Sequence, residues 1–182
     1  MSERPPYLPG DPPPAAELAR MLRVDQAGEY GAVRIYDGQL ALIRSGAARE
    51  AIAHMAAQER HHLSVFDDLL RRRRVRPTAL APLWHGAGFL LGAATALLGE
   101  RAAMACTVAI EDVIDEHYRD QETRLGERDP EAAAAIRAAR ADEVAHRDAA
   151  LAAGAAEAPG YGVLTGLIKS GSRLAIWLST RI

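Results

Sequence analysis

The pattern of hydrophobic and polar positions along the chain predicts helices and no β-sheet. From residue 15 onward Ala, Leu, Arg and Glu dominate the sequence, and these residues are strong helix formers. No run alternates between hydrophobic and polar residues with the period of two that marks a strand. Turn-forming residues divide the pattern into about five helical stretches and a tail. The interruptions are Ser45-Gly46, Arg76-Pro77, Leu80-Ala81-Pro82, Asp129-Pro130 and residues 157–162.

The first 14 residues differ from the rest of the chain. They are rich in proline and include acidic residues, and they lack the apolar segment of a secretory signal. We therefore predict a disordered arm at residues 1–14, without a targeting peptide, followed by a single helical domain at residues 15–182.

Residues 83–99 are the longest apolar stretch, with 17 residues and no formal charge. A transmembrane helix needs about 20 such residues, so this stretch is predicted either to lie in a membrane interface or to form a buried core helix. Arg71 to Arg74 and Arg76 precede it. Their charges favour an anionic lipid surface, although cations also stabilise the C-terminal end of a helix.

The tail, residues 162–182, mixes aliphatic residues and Trp177 with three basic residues. This composition predicts a C-terminal amphipathic helix, which either lies on a membrane surface or packs against the bundle.

Charge and cysteine content exclude several classes of protein. The chain has 22 Lys and Arg against 24 Asp and Glu, a net charge of -2, so we expect no nucleic-acid partner. Cys106 is the single cysteine, which excludes a disulfide framework and any four-cysteine metal site. A reducing compartment fits this content best.

Two Glu-x-x-His motifs carry the first sign of chemistry. Glu59 and His62 are three residues apart, and so are Glu143 and His146. Residues three apart project from the same face of a helix, so each pair can hold one metal ion.

Each motif has a glutamate upstream at a similar distance. Glu29 precedes Glu59 by 30 residues, and Glu111 precedes Glu143 by 32. If these residues face each other in antiparallel hairpins, the turns should fall near residues 44 and 127, and turn-forming sequences lie at both places. Each hairpin is therefore predicted to set one glutamate opposite one Glu-x-x-His motif.

Four glutamates and two histidines are the ligand set of a di-iron or di-manganese carboxylate bundle. Their four negative charges balance two divalent ions, whereas the same set without metal would be a costly cluster of like charges. Oxygen and imidazole ligands with open positions suit non-haem iron that reacts with dioxygen. The predicted metal ligands are Glu29, Glu59, His62, Glu111, Glu143 and His146. A long crossover that contains residues 83–99 is predicted between the second and third bundle helices.

Two further features surround these residues. Gln58 and Asp142 each stand four residues before a histidine, and either side chain is predicted to orient an imidazole. Gly28 and Gly31 flank Glu29, which indicates either close helix packing or a path for substrate or dioxygen.

The motifs resemble those of the demethoxyubiquinone hydroxylase family. The matching segments, in the family's order, are residues 23–32 (RVDQAGEYGA) followed by Ile35-Tyr36 and Gly38-Gln39, 58–62 (QERHH), 105–118 (ACTVAIEDVIDEHY) and 142–146 (DEVAH). The resemblance extends from about residue 18 to the C-terminus. Gln26 departs from it, because the family is expected to have histidine there.

This resemblance implies a ferritin-like di-iron mono-oxygenase that hydroxylates the ring of a polyprenylated demethoxyubiquinol with dioxygen. It implies two iron ions as the cofactor, with Glu59 and Glu111 or their counterparts as bridging ligands. His117 and Tyr118 are implied as catalytic residues that contact substrate or deliver electrons.

The resemblance also sets expectations about partners. NADH is the expected electron donor, although the sequence has no dinucleotide-binding fingerprint. Peripheral association with the cytoplasmic face of a bacterial cell membrane is expected, as is a homo-oligomer or a ubiquinone-biosynthesis complex. The alternative function is that of a bacterioferritin-like ferroxidase or iron-storage protein, which would have nearly the same ligands. The uncharged stretch at residues 83–99 counts against a storage shell.

Overall fold

The computed structural model describes residues 14–126 and 128–182. Within these ranges all regular structure is helical, which confirms the predicted all-α class. The helices are α1 Pro14–Leu42, α2 Ala47–Arg73, α3 Ala81–Leu97, α4 Glu100–Leu125, α5 Pro130–Ala152 and α6 Tyr161–Ser179, with a 3-10 turn at Ala155–Glu157. The predicted arm lies outside the described residues, except for Pro14, where α1 begins.

Most turns occur where the sequence places its helix breakers, but the turn at Leu98 and Gly99, between α3 and α4, was not predicted. Gly46 adopts a φ of 89° immediately before α2, a conformation that side chains with a Cβ disfavour. The Asp129 carboxylate accepts a hydrogen bond from the Ala132 backbone N–H at 3.1 Å and caps α5, with Pro130 as its first residue. Arg73 at the end of α2 donates to the same carboxylate at 3.0 Å, so α2 is held against the start of α5.

Helices α1 and α2 form one antiparallel hairpin, and α4 and α5 form another. The two hairpins pack together as a ferritin-like helical bundle. Their hydrophobic side chains form one cluster that includes Leu22, Phe66 and Ile136, and another that includes Ile52 and Met55. The buried polar centre of the bundle lies between these two clusters.

Helix α3 packs along α1 through glycines. A Cβ at Gly88 would lie 2.9 Å from the carbonyl oxygen of Gly31, and a Cβ at Gly92 would collide with the carbonyl group of Ile35. The close backbone approach of the two helices therefore requires glycine at both positions of α3. These glycines thus have a packing role in a helix.

Helix α6 packs along α4 and is joined to it by two ion pairs. Lys169 contacts Asp112 at 2.7 Å, and Arg173 contacts Glu116 at 3.0 Å. The predicted C-terminal helix is therefore present and in contact with the bundle.

The outer faces of α3 and α6 expose large apolar side chains. Leu83, Leu90 and Leu97 of α3 are 54%, 67% and 74% exposed, and Val163 and Trp177 of α6 are 71% and 51% exposed. Residues 83–99 therefore do not form a fully buried core helix. Among the described helices, none has the length and apolar character to cross a membrane.

Candidate metal centre

The centre of the bundle brings together all six residues that the sequence predicts as metal ligands. They are between 0% and 5% exposed. Their ligand atoms form two groups, each within 4.8 Å, and both groups contain Glu59 and Glu143. Glu29 and His62 complete the first group, and Glu111 and His146 complete the second. The arrangement has the donor atoms for two adjacent metal ions with two carboxylates between them.

Both histidines turn the same ring nitrogen toward the carboxylates. His146 Nδ1 lies 3.1 Å from Glu59 Oε1 and 3.4 Å from Glu143 Oε2. His62 Nδ1 lies 3.5 Å from Glu29 Oε2 and 3.8 Å from Glu59 Oε2. The convergence of both Nδ1 atoms on carboxylate oxygens is the geometry that shared coordination of a cation requires.

Eight atoms of these six residues are buried and have no hydrogen-bond partner among the described residues. They are both carboxylate oxygens of Glu59 and Glu143, one oxygen each of Glu29 and Glu111, and Nδ1 of His62 and His146. Leaving a buried charged or polar atom unpaired costs about 1–3 kcal/mol or more. Cations resolve this cost, and the mixed oxygen and imidazole donors fit divalent iron.

The protonation of the cluster follows from its burial. Burial raises the pKa of Glu29 and Glu143 well above the ordinary range, and that of Glu111 to about 7. Burial also acts to raise the pKa of Glu59, but contacts with the two histidines outweigh it and lower this pKa to about 2. Contacts with Glu29 and Glu59 outweigh burial at His62 and raise its pKa to about 11. The cluster thus carries protons that a bound divalent cation would displace.

The Nε2 atoms of the two histidines, which face away from the carboxylates, are hydrogen-bonded to Asp142 and Gln58, the two residues that the sequence predicts for this role. Asp142 Oδ2 lies 2.9 Å from His62 Nε2, and Gln58 Oε1 lies 3.0 Å from His146 Nε2. Each partner therefore binds the histidine of the opposite hairpin. These hydrogen bonds place the proton on Nε2 and direct Nδ1 inward.

Two buried tyrosines each donate a hydrogen bond to a glutamate of the opposite hairpin. Tyr36 donates a hydrogen bond to Glu111 Oε1 at 2.7 Å, and Tyr118 donates to Glu29 Oε1. Burial, followed by the nearby carboxylates, raises the pKa of both phenols well above 10. Tyr36 is not among the site residues predicted from the sequence. A signal was present, because Tyr36 follows Glu29 by seven residues as Tyr118 follows Glu111.

An apolar cavity of about 510 Å³ lies beside the cluster, between α1, α3, α4 and α6. Gly28 and Gly31 line it, and a Cβ at either position would meet no atom within 4 Å. These two glycines therefore widen the cavity, and they are not needed for close helix packing. Leu167 also lines the cavity and is 69% exposed, so the cavity reaches the surface at α6.

Polar side chains line one part of this otherwise apolar cavity. His117 and Tyr118 both line it, and so does Asp25, whose side chain is fully buried. Asp25 Oδ1 accepts a hydrogen bond from Gln121 Nε2 at 2.6 Å and lies 3.3 Å from His117 Nε2. Burial raises the pKa of Asp25. Neither Asp25 nor Gln121 is among the site residues predicted from the sequence, although Asp25 lies in the motif that contains Glu29.

Gln26, where the family resemblance suggests histidine, lies away from the six clustered residues. Its side-chain nitrogen donates to Asp67 Oδ1 at 3.0 Å. This contact ties α1 to α2.

The fold and the cluster together define a class, the ferritin-like helical-bundle proteins with buried carboxylates and histidines at the bundle centre. The chain belongs to one family within it, that of the ubiquinone biosynthesis protein COQ7, whose family model matches residues 16–179.

Curated relatives agree with this assignment. A protein of Rhodospirillum rubrum named 3-demethoxyubiquinol 3-hydroxylase is 58% identical over 96% of this chain and 83% of that relative. The human protein named NADPH-dependent 3-demethoxyubiquinone 3-hydroxylase, mitochondrial, is 47% identical over 92% of this chain and 79% of its own length. The Saccharomyces cerevisiae protein named 5-demethoxyubiquinone hydroxylase, mitochondrial, is 40% identical over 92% of this chain and 79% of its own length.

Proposed function

We propose that this protein is a di-iron mono-oxygenase that hydroxylates the ring of a polyprenylated demethoxyubiquinol in ubiquinone biosynthesis. The observation that carries the proposal is the apolar cavity of about 510 Å³ beside the buried cluster of four glutamates and two histidines. A cavity of this size and character suits an aromatic ring with an apolar chain. The names of the relatives supply the substrate class.

The proposed reaction replaces one ring C–H bond with a C–O bond. One oxygen atom of dioxygen enters the ring and the other leaves as water, which requires two electrons and two protons besides those of the substrate. The two iron ions would supply the activation of dioxygen, which organic side chains alone cannot provide. The chain itself holds the metal ligands in place, excludes water with apolar walls and orients the ring.

The six clustered residues are proposed to divide between two iron ions. Glu29 and His62 would bind one ion, and Glu111 and His146 the other. Glu59 and Glu143 would bridge, because both belong to the two groups of donor atoms. This geometry supports Glu59 as a bridging residue, as expected from the resemblance, and favours Glu143 over Glu111 as the second.

A nicotinamide nucleotide is proposed as the source of the two electrons, with NADH the expected form. Support comes from the names of the human and Caenorhabditis elegans relatives, which are called NADPH-dependent. The described residues contain no strand, so this nucleotide would bind without the strand-turn-helix site of a Rossmann fold.

Peripheral membrane association is proposed through the exposed apolar faces of α3 and α6. The cavity opens beside Leu167, among the exposed side chains of α6, so a prenyl chain could enter without crossing a charged surface. Of the five arginines before α3, three are in ion pairs with acidic side chains, namely Arg71, Arg72 and Arg73. The apolar faces would therefore contribute more to binding than the arginines.

Liposome flotation tests this contribution. Leu90→Glu combined with Leu167→Glu should abolish flotation with anionic vesicles, whereas Arg74→Gln combined with Arg76→Gln should weaken it only at low salt. The opposite ranking would show that the arginines dominate. The cytoplasmic face of the membrane and a homo-oligomer or biosynthetic complex remain expectations of the proposal.

The decisive experiment follows labelled dioxygen into the product. The protein is loaded with ferrous iron without air, given a chemically reduced short-chain demethoxyquinol, and exposed to ¹⁸O₂ before mass spectrometry. The proposal expects one labelled oxygen in the product for the native chain and none for Glu143→Ala. Unlabelled quinol together with a growing ferric mineral in a large shell would instead support the ferroxidase and storage function.

A further inference from the structure

The cavity contains one carboxylate, that of Asp25, which is not one of the proposed metal ligands. Among the described residues that line the cavity, Asp25 is the only acidic one. Its side chain has no exposed surface, and Oδ2 has no hydrogen-bond partner among the described residues. Burying a carboxylate costs free energy unless its contacts repay it, so the surroundings of Asp25 indicate what it does.

Those contacts connect Asp25 to His117 through Gln121. Gln121 is 1% exposed, and its amide nitrogen lies 2.6 Å from Asp25 Oδ1 and 2.8 Å from His117 Nε2. One amide group has two hydrogens and can donate to both neighbours. The three side chains therefore form a single hydrogen-bonded group that joins α1 to α4.

This group fixes the tautomer of His117. His117 Nε2 lies closer to the Gln121 amide nitrogen, at 2.8 Å, than to Asp25 Oδ1, at 3.3 Å. An amide nitrogen donates and cannot accept, so the shorter contact requires that Nε2 accepts and that the proton of His117 is on Nδ1. Nδ1 has no hydrogen-bond partner among the described residues, and the side chain of His117 is 18% exposed where it lines the cavity. The Nδ1–H group of His117 contacts neither Asp25 nor Gln121, so it is available to donate a hydrogen bond.

We propose that Asp25 and Gln121 are positioning residues for the substrate, which hold His117 so that its Nδ1–H donates a hydrogen bond to an oxygen atom on the bound ring. The inference rests on the proposed function, since it takes an oxygenated aromatic ring as the occupant of the cavity. Asp25 anchors Gln121, Gln121 orients His117, and His117 alone touches the ring. The donor then fixes the ring orientation at the end of the cavity next to Tyr118.

Steady-state kinetics of the iron-loaded protein, with a short-chain demethoxyquinol in air and NADH as the electron donor, test this arrangement. Asp25→Ala should raise KM by about 5- to 10-fold, as expected for one lost hydrogen bond, with kcat changed little. Asp25→Asn keeps an oxygen that can accept from Gln121, so it should restore KM to near the native value. Asp120→Ala, at an exposed carboxylate of α4 that pairs with Arg124, is the matched control and should leave both constants unchanged.

A double-mutant cycle tests whether Asp25 acts through His117. His117→Ala should raise KM as Asp25→Ala does, and the double variant should be no worse than His117→Ala alone. Additive effects would show that Asp25 acts independently of His117 and would overturn the proposal.

Two further measurements separate positioning from structural support. Iron content and the melting temperature should stay near native in Asp25→Asn, and loss of iron in this variant would make the group a support for the metal centre. The ¹⁵N NMR shifts of His117 in the zinc-loaded protein should show the proton on Nδ1 in the native chain and a mixture of tautomers in Asp25→Ala. Proton occupancy of Nε2 in the native chain would contradict the proposal, whereas failure of the labelled-oxygen experiment would instead remove the proposed function.

Discussion

The α1–α2 hairpin and the α4–α5 hairpin contribute equivalent side chains to the cluster, but the two hairpins differ in what surrounds them. Each supplies one glutamate, one Glu-x-x-His motif and a tyrosine seven residues after the first glutamate. Tyr36 contacts Met55 in the hydrophobic core, whereas Tyr118 lines the cavity beside His117. The repeat thus builds the cluster from two equivalent halves, and the cavity adjoins Tyr118 of one half but not Tyr36 of the other.

The largest expected effect tests which carboxylates the two halves share. Glu143 belongs to both groups of donor atoms, whereas Glu111 belongs to one. Glu143→Ala should lose both iron ions and lower activity by more than about 100-fold, because even residues that only orient metal ligands contribute about 10- to 100-fold. Glu111→Ala should retain about one iron ion per chain, as measured by metal analysis. Equal iron loss in the two variants would argue against Glu143 as a bridging residue.

The next effect compares the two outer hydrogen bonds to the histidines. Asp142 offers His62 a carboxylate, whereas Gln58 offers His146 an amide. Asp142→Ala should weaken ferrous-iron binding at one of the two sites by about 10- to 100-fold, and Gln58→Ala should have the smaller effect. Titration with ferrous iron under nitrogen measures both affinities. Unchanged occupancy and activity in Asp142→Ala would remove its assigned role.

The glycines of the cavity and of the α1–α3 contact should respond differently to an added methyl group. Gly92→Ala should lower the free energy of unfolding by about 1–3 kcal/mol, because its Cβ would collide with the carbonyl group of Ile35. Gly31→Ala has open space in the cavity, so it should leave the stability near native and raise KM for the quinol. Thermal melts and steady-state kinetics distinguish the two, and a strongly destabilised Gly31→Ala would mean that the space is not a cavity.

The two tyrosines should have similar effects on stability but unequal effects on activity. Phenylalanine at either position leaves a buried carboxylate oxygen without its donor, which costs about 1–3 kcal/mol. Tyr118→Phe should also reduce turnover by about 5- to 10-fold through the lost donor in the cavity, whereas Tyr36→Phe should retain nearly full turnover once iron-loaded. Equal losses of turnover in Tyr36→Phe and Tyr118→Phe would show that the position of Tyr118 at the cavity has no effect on catalysis.

The smallest effect is the pH dependence of metal binding. Burial raises the pKa of Glu111 to about 7 and that of Glu29 well above its ordinary range, so protons are bound to these glutamates in the metal-free chain near neutral pH. A metal ion must displace these protons, so affinity rises with pH. Lowering the pH from about 7.5 to about 6.5 should weaken ferrous-iron binding at least about threefold. Calorimetry in buffers of different ionisation enthalpy should detect proton release, and pH-independent affinity would contradict these protonation states.

Much of the metal cluster could be predicted from the sequence because it depends on local spacing. A Glu-x-x-His motif on one helix face and a glutamate equidistant from a turn are properties of the chain itself. The six residues do come together, and Gln58 and Asp142 do contact the histidines. Tyr36 was within reach of the same reasoning, since it occupies the position in α1 that Tyr118 occupies in α4.

The sequence alone therefore determined the helical class, most of the turns and the set of side chains that converge, because helix periodicity and hairpin symmetry link distant residues through short-range rules. Only the tertiary structure decided that each tyrosine donates to a glutamate of the opposite hairpin. The same holds for Asp142 and Gln58, each of which contacts the histidine of the opposite hairpin. It also decided that Gly28 and Gly31 open a cavity while Gly88 and Gly92 close a helix contact. Asp25 and Gln121 likewise acquire a role only through their contacts with His117. Contacts of this kind depend on how helices rotate and pack against one another, which no local pattern along the chain specifies.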